Sequence, residues 1–254
     1  MELNSDNIKD FISSDKDQYE IFNINYTSDE KNTINRFNLN EPLEYNNYGD
    51  NMLDDLEFFV NKIGDNTPDM IKKMVDIIKK ITNIVTSGYE MESYWLTIRI
   101  IEPTSRFNIP RWHCDGNYFH KADERHIVSK FATTLIGKGT LLLNTTPDER
   151  KHFFKSEKIA KTLGNMMSDE YRLYMKDNIR GDIIPLTNTQ SVIFLSGDKM
   201  RCGIHSEPKI DTMRMFISIA PGSIKEVDGW RRPDLDGGMY LKYKKYKSKY
   251  LKLK

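Results

Sequence analysis

Cysteine, tryptophan and histidine are scarce in this sequence of 254 residues, with two, three and five copies. Two cysteines build no disulfide framework, and Cys114 and Cys202 read as small core residues in a reducing compartment. No apolar run approaches the ~18 residues that a membrane span needs. The first residues, Met-Glu-Leu-Asn-Ser-Asp, lack the basic and apolar regions of a signal peptide. The expectation is an intracellular, cytoplasmic protein with no membrane partner. No internal repeat is visible, so a solenoid or propeller is not indicated.

Enough apolar material remains for a core. The hydrophobic fraction is 38% and mean hydropathy −0.62, polar but short of disorder throughout, and thirteen Tyr and twelve Phe can fill an interior. The net charge of +1 is unevenly spread. Residues 1–60 hold fourteen acidic and four basic side chains, whereas residues 240–254 hold seven lysines and no acid. That tail resembles the lysine/tyrosine tails of proteins from AT-rich large DNA viruses, a compositional likeness that suggests a viral protein of host cytoplasm or virion. Its tyrosines at 240, 243, 246 and 250 fall near one helix face among lysines. Such interleaving can track nucleic acid, although a solvated terminus is the commoner outcome and the favoured one. Trp230-Arg231-Arg232 reads either as a rim contact for an acidic or nucleic-acid substrate or as a packed loop.

Taken in order, residues 5–13 predict a short helix and 19–26 a strand, with loops to about 50. Residues 51–63 and 67–87 read as helices. The second has Thr67 as N-cap, Pro68 at its first position and a Met/Ile stripe from Met70 to Val85, which reads as core packing. Residues 93–101 predict a strand, as do 127–136 and 140–144, joined by Gly137-Lys138-Gly139. That glycine pair signals a hairpin rather than a phosphate loop, because no helix start follows it. Residues 148–176 are helix-prone, with Ser168 as an N-cap, and read as an insertion between core strands. Strands resume at 182–186 and 191–195.

The chemistry-bearing stretch is Ile109-Pro110-Arg111-Trp112-His113-Cys114-Asp115-Gly116. On a strand, residues i and i+2 share a face, so His113 and Asp115 project one way and Cys114 the other. An imidazole and a carboxylate on one face make two-thirds of a facial metal site suited to non-haem Fe(II). His205 is the candidate for the third ligand. His120, His126 and His152 have no partner at ligand spacing and read as surface or structural. Nine residues after His205 lies Arg214, in Thr212-Met213-Arg214-Met215-Phe216-Ile217-Ser218-Ile219. Its strand puts Met213, Met215, Ile217 and Ile219 on one face and Arg214, Phe216 and Ser218 on the other. An arginine on such a front face suits the anchoring of a carboxylate. The plainer readings are Asp115 as a turn residue before Gly116, and Arg214 paired with a core carboxylate.

His-x-Asp, a distant His and an Arg nine residues later resemble the 2-oxoglutarate-dependent Fe(II) oxygenase superfamily. The resemblance covers roughly residues 92–222. It implies an α+β fold with a mainly β core: a double-stranded β-helix, or cupin-like jelly roll, with bracing helices on the larger sheet. The implied organisation is an acidic segment with bracing helices at 1–90, a core at 91–222 with a helical insertion at about 148–178, and a C-terminal extension at 223–254. His113, Asp115 and His205 are then the iron ligands and catalytic residues, and Arg214 binds the distal carboxylate of 2-oxoglutarate. The implied reaction uses Fe(II), 2-oxoglutarate and O2, releases succinate and CO2, and hydroxylates or demethylates an unidentified primary substrate. Tyr94, Thr97, Arg99, Thr133 and Ser218 are candidates for the inner end of 2-oxoglutarate. Two alternatives stay open: a catalytically silent jelly roll serving as an interaction or virion protein, and a mononuclear-metal enzyme that does not use 2-oxoglutarate.

Overall fold

Period-2 alternation of apolar and polar residues dominates the strands, and the computed structural model, which describes residues 1–14, 18–115, 129–196 and 200–230, shows what each face meets. Nine strands form two sheets among the described residues: β1 (Tyr19–Asn23), β2 (Leu43–Tyr48), β3 (Ser93–Ile101), β4 (Ser129–Ile136), β5 (Leu141–Asn144), β6 (Asp182–Pro185), β7 (Gln190–Leu195), β8 (His205–Ser206) and β9 (Arg214–Gly222). The larger sheet has the order β1-β7-β4-β9-β3-β2 and the smaller β6-β5-β8. All strand pairs are antiparallel. One further bridge, His113 to His205, sets residues around 113 beside β8. The chain thus passes from β3 to the smaller sheet at His113, back to β4, across to β5 and β6, back to β7, across to β8 and back to β9. That alternation is the winding of a double-stranded β-helix, within an α+β fold.

The outer face of the larger sheet is covered by helices. The chief one is α4 (Pro68–Tyr89), following α1 (Ser5–Ser13), α2 (Ser28–Arg36) and α3 (Leu56–Lys62). Thr67 caps α4 by accepting from the Met70 amide, with Pro68 at the first helical position. The Met/Ile stripe is core: Met74, Ile77, Ile78, Ile81 and Val85 pack in one cluster with Leu96, Ile98, Phe131, Ile193, Ile217 and Ile219. At about 1.5–3 kcal/mol for each buried large aliphatic side chain, this layer is the main source of stability.

Two helices fall between β5 and β6, namely α5 (Pro147–Leu163) and α6 (Asp169–Asn178). They pack Phe153, Ala160, Tyr171 and Met175 on Trp112, Leu143 and Ile204, behind the smaller sheet. Thr146 and Glu149 form a reciprocal capping box at the start of α5, and Ser168 caps α6. Buried Arg172 of α6 donates to the carbonyl of Arg106, tying the insertion to the loop that leads into His113.

Several expectations are corrected. Residues 27–50 are not loops: Thr27 and Glu30 form a capping box that starts α2, and β2 pairs with β3 from Leu43↔Ile100 to Tyr48↔Trp95. The helix expected at 51–63 is confined to α3, after turns, and the last helix, α7 (Ile224–Trp230), was not foreseen. The segment carrying His113 is held by its single bridge rather than as a full strand. No helix among the described residues is long and apolar enough to cross a membrane. The basic tail, Arg231 and Arg232, His120 and His126 lie outside the described residues.

Candidate metal centre

The bridge that adds residue 113 to the smaller sheet also assembles the site. The His113 amide donates to the His205 carbonyl at 3.0 Å, and the His205 amide to the His113 carbonyl at 2.9 Å. Residues paired directly across an antiparallel ladder project side by side, and the two rings lie 4.3 Å apart. Asp115, two residues on, joins them from the same face. Its Oδ1 is 3.7 Å from His113 Nε2 and 3.8 Å from His205 Nε2. One donor atom from each of the three residues lies within 4.8 Å of the others.

Protonation prepares these groups as donors. His113 Nδ1 lies 2.7 Å from the Arg111 carbonyl, and His205 Nδ1 lies 3.0 Å from the Gly203 carbonyl. A carbonyl only accepts, so each Nδ1 carries the proton and each Nε2 presents a lone pair. Burial, the neighbouring His205 and Arg111 push the His113 pKa down to about 3. Burial likewise lowers His205, against the pull of Asp115. For Asp115, burial acts upward but is outweighed by Lys130 and the two imidazoles, and the carboxyl is held well below the ordinary range. Two neutral imidazoles and one carboxylate therefore converge, a donor set that fits a divalent transition metal and the facial arrangement in particular. Asp115 Oδ2 is buried, with Lys130 Nζ at 2.6 Å.

The site opens into a cavity of about 540 Å³ between the sheets, the size of small-molecule sites. Arg214 faces it from the start of β9, 3% exposed. Its Nε donates to the Lys138 carbonyl at 2.8 Å, and its Nη2 to Thr134 Oγ1 at 3.0 Å and Thr140 Oγ1 at 3.4 Å. Gly137 makes this possible: its φ is +87°, and a Cβ there would stand 2.9 Å from the Met213 carbonyl. Burial lowers the Arg214 pKa to about 10, which leaves it charged near neutrality. Among the described residues no carboxylate lies at ion-pair distance from it, so the pairing with a core carboxylate is not found. A buried guanidinium held by neutral oxygens and facing a cavity is prepared for an anion.

Three other charged groups, unforeseen from the sequence, border the site. Arg111 pairs with Glu207, its Nε 3.1 Å from Glu207 Oε2, and its Nη2 lies 3.2 Å from His113 Nε2. Lys130 comes from β4, where it shares a face with Ala132 and Thr134; a lysine on the cavity face of an apolar strand was a readable signal. Of the candidates for the inner end of an oxo-acid, Thr97, Arg99 and Ser218 line the cavity, whereas Tyr94 and Thr133 are corrected. Tyr94 donates to the Thr86 carbonyl among the helices, and Thr133 Oγ1 to the Gln190 carbonyl. Both stand on the wrong parity of their strands. His152 lies on α5, with its ring 3.5 Å from Ser156 Oγ and away from the cavity.

The cysteines are not separate. Cys114 and Cys202 form a disulfide across 88 residues of sequence, on the face opposite the ligands. Alternation turned Cys114 away from His113 and Asp115, as expected, but the partner it meets is a long-range one. The two cysteines are therefore paired, not the free small core residues that the sequence suggested.

No protein-family model matches the sequence, and no curated protein matches it. Solved structures do. A prolyl-4-hydroxylase from Pseudomonas putida is 9% identical, with 86% of this chain and 98% of that one covered and a TM-score of 0.39. Dioxygenase for auxin oxidation 1 from Arabidopsis thaliana, in a 2-oxoglutarate complex, is 12% identical over 92% and 96%, with a TM-score of 0.41. The Kdo hydroxylase KdoO, a non-haem Fe(II) dioxygenase in complex with α-ketoglutarate and Fe(III), is 7% identical over 90% and 89%, with a TM-score of 0.45. The tail that carries the viral likeness lies outside the described residues, and no finding supports that origin. At such scores the likeness carries no functional argument, which rests instead on the residues above.

Proposed function

We propose that this chain is an Fe(II)- and 2-oxoglutarate-dependent dioxygenase. The observation that carries the reading is the cavity's pair of prepared sites: two neutral imidazoles and a carboxylate at one point, and on the wall a buried guanidinium with no carboxylate at ion-pair distance among the described residues. Residues His113, Asp115 and His205 would hold iron through His113 Nε2, His205 Nε2 and a carboxylate oxygen of Asp115. Arg214 would hold the distal carboxylate of 2-oxoglutarate, with Thr134 and Thr140 keeping its fork in plane. Iron, 2-oxoglutarate and O2 together would supply the oxidising power to hydroxylate a C–H bond, with release of succinate and CO2. Demethylation follows where that carbon is borne on nitrogen. The protein's own part is to fix the donors through Nδ1–H bonds to backbone, orient the co-substrate and exclude bulk water. Arg214 favours this reading over a metal enzyme without 2-oxoglutarate, because it supplies a carboxylate anchor in the same cavity as the three metal donors.

Anaerobic addition of Fe(II) and 2-oxoglutarate should produce the weak visible charge-transfer band of a chelated 2-oxoglutarate, and His113→Ala should abolish it. A folded wild-type protein that binds Fe(II) yet never develops the band would sink the proposal.

A further inference from the structure

The Asp115 carboxylate has two oxygens, and only one is turned to the imidazoles. Oδ1 faces His113 and His205, whereas Oδ2 has the ammonium of Lys130 at 2.6 Å. Lys130 is itself confined. It comes from β4, is 15% exposed, and its Nζ lies 5.1 Å from the centroid of the Phe194 ring. That ring in turn packs 4.4 Å from His205, which lies 4.3 Å from His113. Lysine, phenylalanine and the two imidazoles thus form one continuous column, anchored on β4, β7 and β8, with Asp115 against its side.

From this we infer that Lys130 is a positioning residue that keeps Asp115 a one-oxygen ligand. The inference rests on the iron reading above and adds to it. A carboxylate beside a divalent cation can bind through one oxygen or chelate through both. Chelation would consume a coordination position that a facial site must leave free for co-substrate and O2. With a cation fixed against Oδ2, turning that oxygen toward the metal would pull apart a charge pair that is largely shielded from water. Lysine fits this role as a compact point charge on a stem that the Phe194 ring can steer.

Co(II) is a suitable probe, because its visible d–d bands report coordination without turnover. Titration of the full-length protein with Co(II) alone should give one set of bands for wild type. Lys130→Met should give a different set, as the second Asp115 oxygen joins the metal. Lys130→Arg should restore the wild-type bands. Lys130→Met bands identical to wild type, at whatever affinity, would overturn the inference, and so would a Lys130→Arg spectrum matching that of Lys130→Met. If Lys130→Met weakens 2-oxoglutarate binding while leaving the Co(II) bands unchanged, Lys130 serves the co-substrate and the inference is again overturned. Wild-type protein that takes up no Co(II) would instead bring down the metal reading itself.

Discussion

The two faces of the six-stranded sheet are built on opposite principles. On the outer face Leu96, Ile98, Ile100, Phe131, Ile193, Ile217 and Ile219 meet a layer of helices, each sharing its surroundings with many similar neighbours. On the inner face, Thr97, Lys130, Thr134, Arg214 and Ser218 alternate with those same residues, and the charged ones have few and specific partners. Apolar burial is non-directional and summed over area, so the outer face tolerates exchange of one aliphatic residue for another. Charge buried beside a cavity is directional, and the loss of one partner leaves another stranded. Stability is therefore spread over the outer face, whereas the proposed chemistry is concentrated in a few inner side chains only one residue away along the same strands.

Exchanging neighbours on β9 separates the two faces. Ile217→Ala, on the outer face, should cost about 2–5 kcal/mol of folding stability, read as a fall in Tm, with the Fe(II)/2-oxoglutarate band intact at low temperature. Arg214→Ala, three residues earlier and on the other side, should lower Tm less than Ile217→Ala does. It should weaken 2-oxoglutarate binding by about 1.5–3 kcal/mol, roughly ten- to more than a hundredfold, measured by titration of the Fe(II) protein under nitrogen. An unchanged affinity would count against Arg214 as the co-substrate anchor. A third effect is invisible near neutral pH. In metal-free protein the His113 pKa lies at about 3 against an ordinary 6.5, so the unfolded chain binds the extra proton as pH falls between those values. Stability is then fully present above about pH 6.5 and drains away toward pH 3. The lowered His205 and Asp115 act in the same sense. Urea unfolding of the metal-free protein between pH 7 and 4 should show this slope, and His113→Gln should flatten it.

How much of this was legible in the sequence follows from the range of each interaction. The strand of Arg214 could be read to its faces because alternation is local, and α4 could be read to its cap because Thr67-Pro68 is a local signal. His113 and Asp115 share a face by the same parity. Residues 27–50 were obscured by asparagine and by only a few apolar side chains, although the Thr27–Glu30 capping box was there to be read. Lys130 could be placed on the cavity face by parity, but its meeting with Asp115 needs the tertiary fold. The same holds for Arg111 with Glu207, 96 residues apart, and for the paired cysteines. Tyr94 and Thr133 show the opposite lesson: polar atoms on β-strands are candidates only when strand parity points them inward.

The Cys114–Cys202 crosslink also has a consequence for the chain after it melts. It fastens the residue between His113 and Asp115 to one three places before His205. A denatured but oxidised polypeptide therefore keeps all three donors on a short tether, at the raised effective concentration that such linkage confers. Divalent cations can then cling to the denatured ensemble, and any such affinity subtracts from the thermal protection that loading gives the native form. The same bond that makes unfolding rarer, by about 4–5 kcal/mol in the chain-entropy picture for a loop near this length, makes metal a weaker safeguard against it.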